Sequence, residues 1–275
     1  MNLIKRIIVA IILIPAVIYI ILKSGDPYNN QYYRAMIMLI LSAAAYEFIY
    51  SHKKNVGIIN KIMTIAALML LVNSDLNYNL YIPLFSFMVM IIITLNFLTQ
   101  TPKDFYEKTK LMFFTIVYLG AFGLNFNLLA RIDSFNGYSG YLVLLAISLN
   151  WICDSGAYFT GRLIGKRKLA PVLSPNKTIE GFIGGCFTAI IYSLIYRHFL
   201  LSAISLKEMV LLSFLLAVIC SLGDLCASAI KRASEIKDYS NIIPGHGGIM
   251  DRIDSVLYTA AFTVIYFNLK EKILI

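Results

Sequence analysis

Asp224, Ser228 and Lys231 fall at i, i+4 and i+7, so a helix running through all three would set them on one face. Asp251 and Asp254, at i and i+3, share a face of a second helix in the same way. Between these groups lie Arg232, Lys237, Asp238 and the run Pro244-Gly245-His246-Gly247-Gly248, and Arg252 separates the last two acids. Carboxylate oxygens suit Mg²⁺, which takes one or two of them and completes its shell with water and phosphate oxygens. Lys and Arg neutralise phosphate charge, and glycines let backbone N–H groups approach phosphate closely. Together these are the requirements of phosphoryl or nucleotidyl transfer. His246 is read as a loop brace or phosphate contact, with acid/base work as the third option, because attack of one phosphate on another needs little general base. An ion pair with a neighbouring Lys or Arg would explain any one of these acids alone. It does not explain the whole set around a glycine-rich turn.

A second group lies upstream: Asp154, the basic run Arg162–Lys168, and Ser174-Pro-Asn-Lys177-Thr-Ile-Glu180-Gly181. Asp154 stands inside apolar sequence, where an ionisable group is costly and is usually paired or functional. The basic run could instead be a patch for anionic lipid headgroups. Lys177 and Glu180 flank the start of an apolar helix whose free N–H groups favour an anion such as phosphate. Gly181, Gly184 and Gly185 at helical spacing read as close helix packing. The four cysteines (Cys153, Cys186, Cys220, Cys226) form no CxxC or CxxH pair and read as buried free thiols.

These residues must be carried by membrane helices. Of 275 residues 59% are hydrophobic and 14% charged, against roughly 25% charged in a soluble domain. That excludes a water-soluble monomer, which could not hide so much apolar surface, and intrinsic disorder. A crossing helix needs about 20 mainly apolar residues. Nine segments qualify: 3–22, 34–50, 57–72, 80–98, 111–131, 140–159, 179–200, 207–224 and 253–269. Alternating loops split the 24 Lys and Arg residues into 17 on one side and 7 on the other. The positive-inside rule then predicts an all-α polytopic membrane protein with its N-terminus in the cytoplasm and its C-terminus outside. Residues 1–150 form about five spans with few special residues. Residues 151–275 hold the chemistry in two cytoplasmic loops, 161–178 and 228–252, and both parts are read as one integrated membrane domain. The net charge of +9 therefore speaks for topology and phosphate contact, and nucleic acid is not an expected partner. Glu47, an isolated acid within the second span, is read either as structurally paired or as part of the site.

The chain resembles the phosphatidate cytidylyltransferase (CDP-diglyceride synthase) family. The resemblance rests on Ser228-Ala-Ile-Lys231-Arg232, Lys237-Asp238, Pro244-Gly-His246-Gly247-Gly248 and Asp251-Arg252-Ile-Asp254, which match the family's motif in residue and spacing. Asp154-Ser-Gly-Ala-Tyr-Phe, Lys168-Leu-Ala-Pro, Ser174-Pro-Asn-Lys-Thr-Ile-Glu-Gly, and Lys5-Arg6 before a Pro15-containing helix are also similar. Two positions depart: Ala227 where many members have Glu, and Asn176 where many have Gly. The first puts in doubt any metal-binding role for that Glu. The resemblance implies Mg²⁺-dependent transfer from CTP to phosphatidic acid, giving CDP-diacylglycerol and pyrophosphate, at the cytoplasmic face of the cell inner membrane. The residues expected to act are Asp224, Asp251, Asp254, Lys231, Arg252 and His246, with Asp224 and Asp251 as metal ligands and Asp254 as their support or a site for a second cation. Lys177, Lys231, Arg232 and Arg252 would hold phosphates. Asp154, Ser228, Lys237, Asp238, Gly247 and Gly248 complete the substrate-binding set. A transporter, or a cytidylyltransferase for another lipid phosphate, are the competing readings. Oligomeric state is open, with a homodimer among the options.

Overall fold

The computed structural model describes residues 15–23, 30–52, 56–75, 77–99, 102–132, 139–240, 242 and 247–274. Most of the first expected span, Lys5, Arg6, Lys53, Lys54, Pro244, Gly245 and His246 lie outside the described residues. Long apolar runs fold as helices because in lipid each backbone N–H and C=O must be satisfied within the segment. In chain order these are α1 (15–22), α2 (Asn30–Ser51), α3 (Ile58–Val72), α4 (Tyr78–Thr99) and α5 (Pro102–Thr115). A π-helical turn, Ile116–Ala121, joins α5 directly to α6 (Phe122–Leu129). Then follow α7 (Ser139–Ile164), a hairpin of β1 (Lys168–Ala170) and β2 (Ser174–Thr178), α8 (Ile179–Leu200), α9 (Leu206–Ala233) and α10 (Met250–Leu274).

Among the described residues, six helical stretches are long and apolar enough to cross a membrane: Gln31–Ser51, Asn79–Leu98, Asp104–Leu129, Ser139–Ile164, Ile179–Leu200 and Leu206–Ala233. They answer to the second, fourth, fifth, sixth, seventh and eighth expected spans. Ile58–Val72 is apolar but has 15 residues. The 25-residue α10 carries Asp251, Arg252, Asp254 and Lys270 near its ends, which shortens its apolar stretch.

Three expectations need correction. α9 runs to Ala233, so Asp224 lies nine residues inside the helix and not at its terminus. α7 likewise continues to Ile164, ten residues past Asp154. Both extensions carry basic residues, Arg162 in α7 and Lys231 and Arg232 in α9, which end an apolar run without ending the helix. The loop 161–178 is not wholly irregular: its strands pair antiparallel with Lys168 opposite Thr178 and Ala170 opposite Ser174. Polar strands of three and five residues lack the alternation that announces a strand. Partners outside the hairpin hold it, with Ile179 N donating to Arg167 O (2.9 Å) and Arg232 Nε to Leu173 O (3.5 Å).

One core runs through both halves of the chain, from Ile21 and Tyr33 to Leu257 and Phe267. α7 and α8 pack most closely, and glycines allow it. A Cβ on Gly185 would stand 2.9 Å from the Cys153 carbonyl, and one on Gly181 2.8 Å from that of Ala157. These glycines serve helix packing, as their spacing predicts. Some polar groups inside the bundle pair across helices: Asn60 donates to Asn96 (2.7 Å) and Asn150 to Thr259 (2.8 Å). Asp75 at the end of α3 holds Arg34 of α2 (2.7 Å) and Arg131 beyond α6 (3.3 Å). Lys270 of α10 reaches Glu208 of α9 (2.5 Å). Large side chains such as Leu39, Phe97, Leu163 and Phe199 point outward, as a lipid-facing surface requires. Cys153, Cys186 and Cys220 are buried free thiols, while Cys226 is exposed, contrary to expectation.

Candidate active site

The lower turns of α7 and α9 and the first turn of α10 enclose a cavity of about 210 Å³. Its wall contains Asp154 and Trp151 from α7, Asp224 and Lys231 from α9, Asp238 from the following loop, and Asp251, Arg252, Asp254 and Ser255 from α10. The helical spacings explain the convergence. Asp224 and Lys231 share a face because α9 is continuous through both. Asp251 and Asp254 are one turn apart at the start of α10. Close packing of α9 on α10 brings the two faces together: a Cβ on Gly223 would lie 3.1 Å from Ser255 Cα.

Lys231 is the pivot of the polar wall. Its Nζ lies 2.9 Å from Asp251 Oδ1, 3.8 Å from Asp254 Oδ2, and 5.5 Å from the centre of the Tyr239 ring. Asp251 Oδ2 accepts from Tyr239 N (3.0 Å) and Gly248 N (3.1 Å). That oxygen has both lone pairs engaged, whereas Oδ1 keeps one free beside Lys231. Lys177 Nζ, carried in by β2, pairs with Asp224 Oδ2. Burial pushes the Tyr239 hydroxyl far above the usual phenol range, with Asp254, Asp251 and Glu47 adding to the effect. Tyr239 is therefore a neutral wall for the lysine.

The sequence-predicted residues divide into three groups. Asp154, Asp224, Lys231, Asp238, Asp251, Arg252 and Asp254 meet in the cavity wall, and Lys177 stands behind Asp224. Ser228, Arg232, Lys237, Gly247 and Gly248 do not line it. Arg232 ties the hairpin to the end of α9, its Nη1 donating to Ile236 O (3.2 Å) and its Nε to Leu173 O. Lys237 is exposed. Gly247 adopts the left-handed conformation (φ 83°) beside Asp251, a position that favours glycine. His246 lies outside the described residues.

Two anion-binding expectations change. Gly248 N donates to Asp251, and Ile249 N and Met250 N donate to Glu47, so none of the three is directed to a phosphate. At the start of α8, Gly181 N is capped by Thr178 Oγ1 (3.1 Å) and Ile179 N by Arg167 O. Glu180 is half-buried and accepts from Lys166 N (3.0 Å) and Arg167 N (3.2 Å), which makes it a brace of the hairpin. The sequence does not mark Trp151, Ser255 or Tyr239 as site residues, whereas Glu47, offered as either structurally paired or part of the site, accepts from Ile249 N and Met250 N. Trp151 carried a usable signal, since it stands one turn before Asp154.

The donor set can be tested against a divalent cation. Five carboxylates face the cavity against Lys231 and Arg252, with Lys177 adding one cation from behind. That excess of negative charge repels an anionic nucleotide unless cations accompany it. Among the described residues no three His, Cys, Asp or Glu side chains form a ready-made metal cage. Mg²⁺ needs no such cage, since it typically binds through one or two carboxylates plus substrate phosphates, and Asp224 and Asp251 both face the cavity. The residues fit the ion.

A recessed acidic pocket lined also by Lys231 and Arg252 is set among helices long and apolar enough to cross a membrane. The match to known sequences is specific: the model of the cytidylyltransferase family covers residues 4–270, and this chain belongs to that family. It is 37% identical to the phosphatidate cytidylyltransferase of Bacillus subtilis over 183 residues, 66% of each chain. It is 46% identical to that of Haemophilus influenzae over 142 residues, 49% of this chain and 48% of the relative. With that of Staphylococcus saprophyticus it shares 44% over 118 residues, 43% of this chain and 45% of the relative. The matched stretches span from under half to just under two thirds of these relatives' lengths.

Proposed function

We propose that this chain transfers the cytidylyl group of CTP to phosphatidic acid, releasing pyrophosphate and forming CDP-diacylglycerol. The observation that carries the proposal is the convergence of Asp224, Asp251 and Asp254 around Lys231 in a recess among apolar helices, in a chain whose relatives bear the name phosphatidate cytidylyltransferase. A phosphate oxygen of the lipid forms a bond to the α-phosphorus of CTP, and the bond from that phosphorus to the bridging oxygen of pyrophosphate breaks. Asp224 and Asp251 Oδ1 would hold Mg²⁺, with Asp254 in support. The bound ion would supply charge neutralisation for the phosphates. Lys231 and Arg252 bind phosphate oxygens, and Lys177 exchanges its bond to Asp224 for one to the nucleotide. Asp154 and Asp238 would contact the ribose or support the metal-binding acids.

The setting suits both substrates. Phosphatidate leaves the bilayer only at a cost of about 0.8 kcal/mol per CH₂, and CTP cannot enter it, so the chemistry belongs at headgroup level. We place the cavity on the cytoplasmic side, with nine crossings in all. Its supports are the surplus of Lys and Arg on the loops at that end and the gathering of Arg34, Asp75 and Arg131 at the opposite helix ends. The inner membrane is the corresponding location. The deciding experiment incubates purified protein with phosphatidate and labelled CTP, with Mg²⁺ or with EDTA. Labelled CDP-diacylglycerol and pyrophosphate are expected only with Mg²⁺. A protein that is folded, holds Mg²⁺ and CTP, and yields no labelled lipid would overturn the proposal.

A further inference from the structure

Glu47 lies in the second-last turn of α2, 193 residues from Ser240 and 203 from Met250 of the motif loop, and is 2% exposed. No lysine or arginine pairs with its carboxylate among the bonds described. Its oxygens accept instead from Met250 N (2.7 Å), Ile249 N (3.3 Å) and the Ser240 hydroxyl. Met250 opens α10, and the first N–H groups of a helix have no partner within it. A carboxylate there also meets the positive end of the helix dipole. The same contact explains Gly248, because a Cβ at that position would stand 2.5 Å from Glu47 Oε1 and 2.7 Å from Cδ.

The next residue along α10 is Asp251, which gathers Tyr239 N, Gly248 N and Lys231. Glu47 and Asp251 thus hold the two ends of the loop in tandem: Glu47 takes Ser240, Ile249 and Met250, and Asp251 takes Tyr239 and Gly248. We infer that Glu47 is a positioning residue for nucleotidyl transfer, fixing the first turn of α10 so that Asp251 and Lys231 meet in the cavity. The buried acid of the N-terminal half is then what couples that half to the chemistry. This inference rests on the proposed function for its kinetic consequence only.

The test compares Glu47→Ala, Glu47→Gln and the parent in detergent, with Glu208→Ala as a control that breaks an ion pair at the far end of α9 and α10. Backbone hydrogen exchange is followed at Tyr239 and Gly248, whose acceptor is Asp251 and not Glu47. Glu47→Ala is expected to accelerate exchange at both, as well as at Ile249 and Met250, while Glu208→Ala leaves all four unchanged. It is also expected to lower kcat about tenfold or more, with a smaller effect on the KM for CTP, as misplacement of a reacting group does. Glu47→Gln, which keeps the size and one acceptor oxygen, should show both effects to a smaller degree, and it decides the matter if the alanine variant does not fold. Parental exchange at Tyr239 and Gly248 in either folded variant, or parental kcat in Glu47→Ala, would overturn the inference. Exchange needs no substrate, so an inactive parent would sink the proposed reaction and leave this contact to be judged separately.

Discussion

Lys231 of α9 reaches Asp251 of α10 at 2.9 Å, and the pair is largely closed to solvent, with 13% and 6% of the two side chains exposed. One cation thereby joins the two helices that supply most of the acids. Removing one member of a buried pair leaves the other charge uncompensated and costs about 3–5 kcal/mol. Lys231→Met should lower stability on that scale and abolish turnover, because Asp251 and Asp254 would then face each other without their shared cation. Thermal unfolding in detergent and CTP-dependent product formation check the two halves of this expectation.

Asp251→Asn should affect chemistry more than folding. The amide keeps the volume and one acceptor oxygen for Tyr239 N or Gly248 N, but the charge that balances Lys231 and attracts a cation is lost. Turnover should fall about 10²-fold or more, as when a preorganised electrostatic group is removed. A Mg²⁺ titration of the residual rate should require more metal. Unchanged turnover and unchanged metal dependence would remove Asp251 from the ligand set.

The acids and lysines of the site were legible because their spacing is a property of single helices: Asp224 with Lys231, and Asp251 with Asp254. Their partners across helices were not. Glu47 takes its meaning from backbone N–H groups some 200 positions away, and no local pattern announces that. The sequence offers Lys177 as a phosphate ligand, yet in the folded chain it answers Asp224, which only the docking of β2 against α9 determines. The glycine-rich turn invited a phosphate, but its amides from Gly248 to Met250 are taken by two carboxylates of the protein itself. The apolar segments were readable from composition, whereas their ends were not: Arg162 in the last turn of α7, and Lys231 and Arg232 in that of α9, end an apolar run while the backbone remains helical.

The α7–α8 contact should be intolerant of bulk. Gly185 would place a Cβ 2.9 Å from the Cys153 carbonyl and 3.1 Å from Ala157 Cβ. The carbonyl is backbone and cannot swing aside, so Gly185→Val must part the helices. Overpacking of this kind costs about 1–3 kcal/mol, and here it would also shift Asp154, which α7 carries into the cavity. Lower unfolding temperature together with reduced turnover is the expected result. Gly57→Ala, at a position with nothing within 4 Å of the added carbon, should leave both unchanged.

Trp151 offers a direct view of the cavity. It is the chain's one tryptophan, it is 50% exposed, and it lines the same wall as Asp154. Its emission therefore reports on that wall alone, without interference from other indoles. Cations entering beside the carboxylates and a nucleotide stacking or packing nearby would both alter the polarity around the ring. Addition of CTP with Mg²⁺ should change Trp151 emission saturably, and EDTA should reverse the change. Asp224→Asn should abolish the response at the same concentrations while leaving the unliganded spectrum close to that of the parent. Trp151→Phe removes the signal but keeps an aromatic wall, so its turnover separates two roles for the ring. Parental activity means that the indole only borders the site, and a raised KM for CTP with unchanged kcat means that it contributes binding energy to the nucleotide.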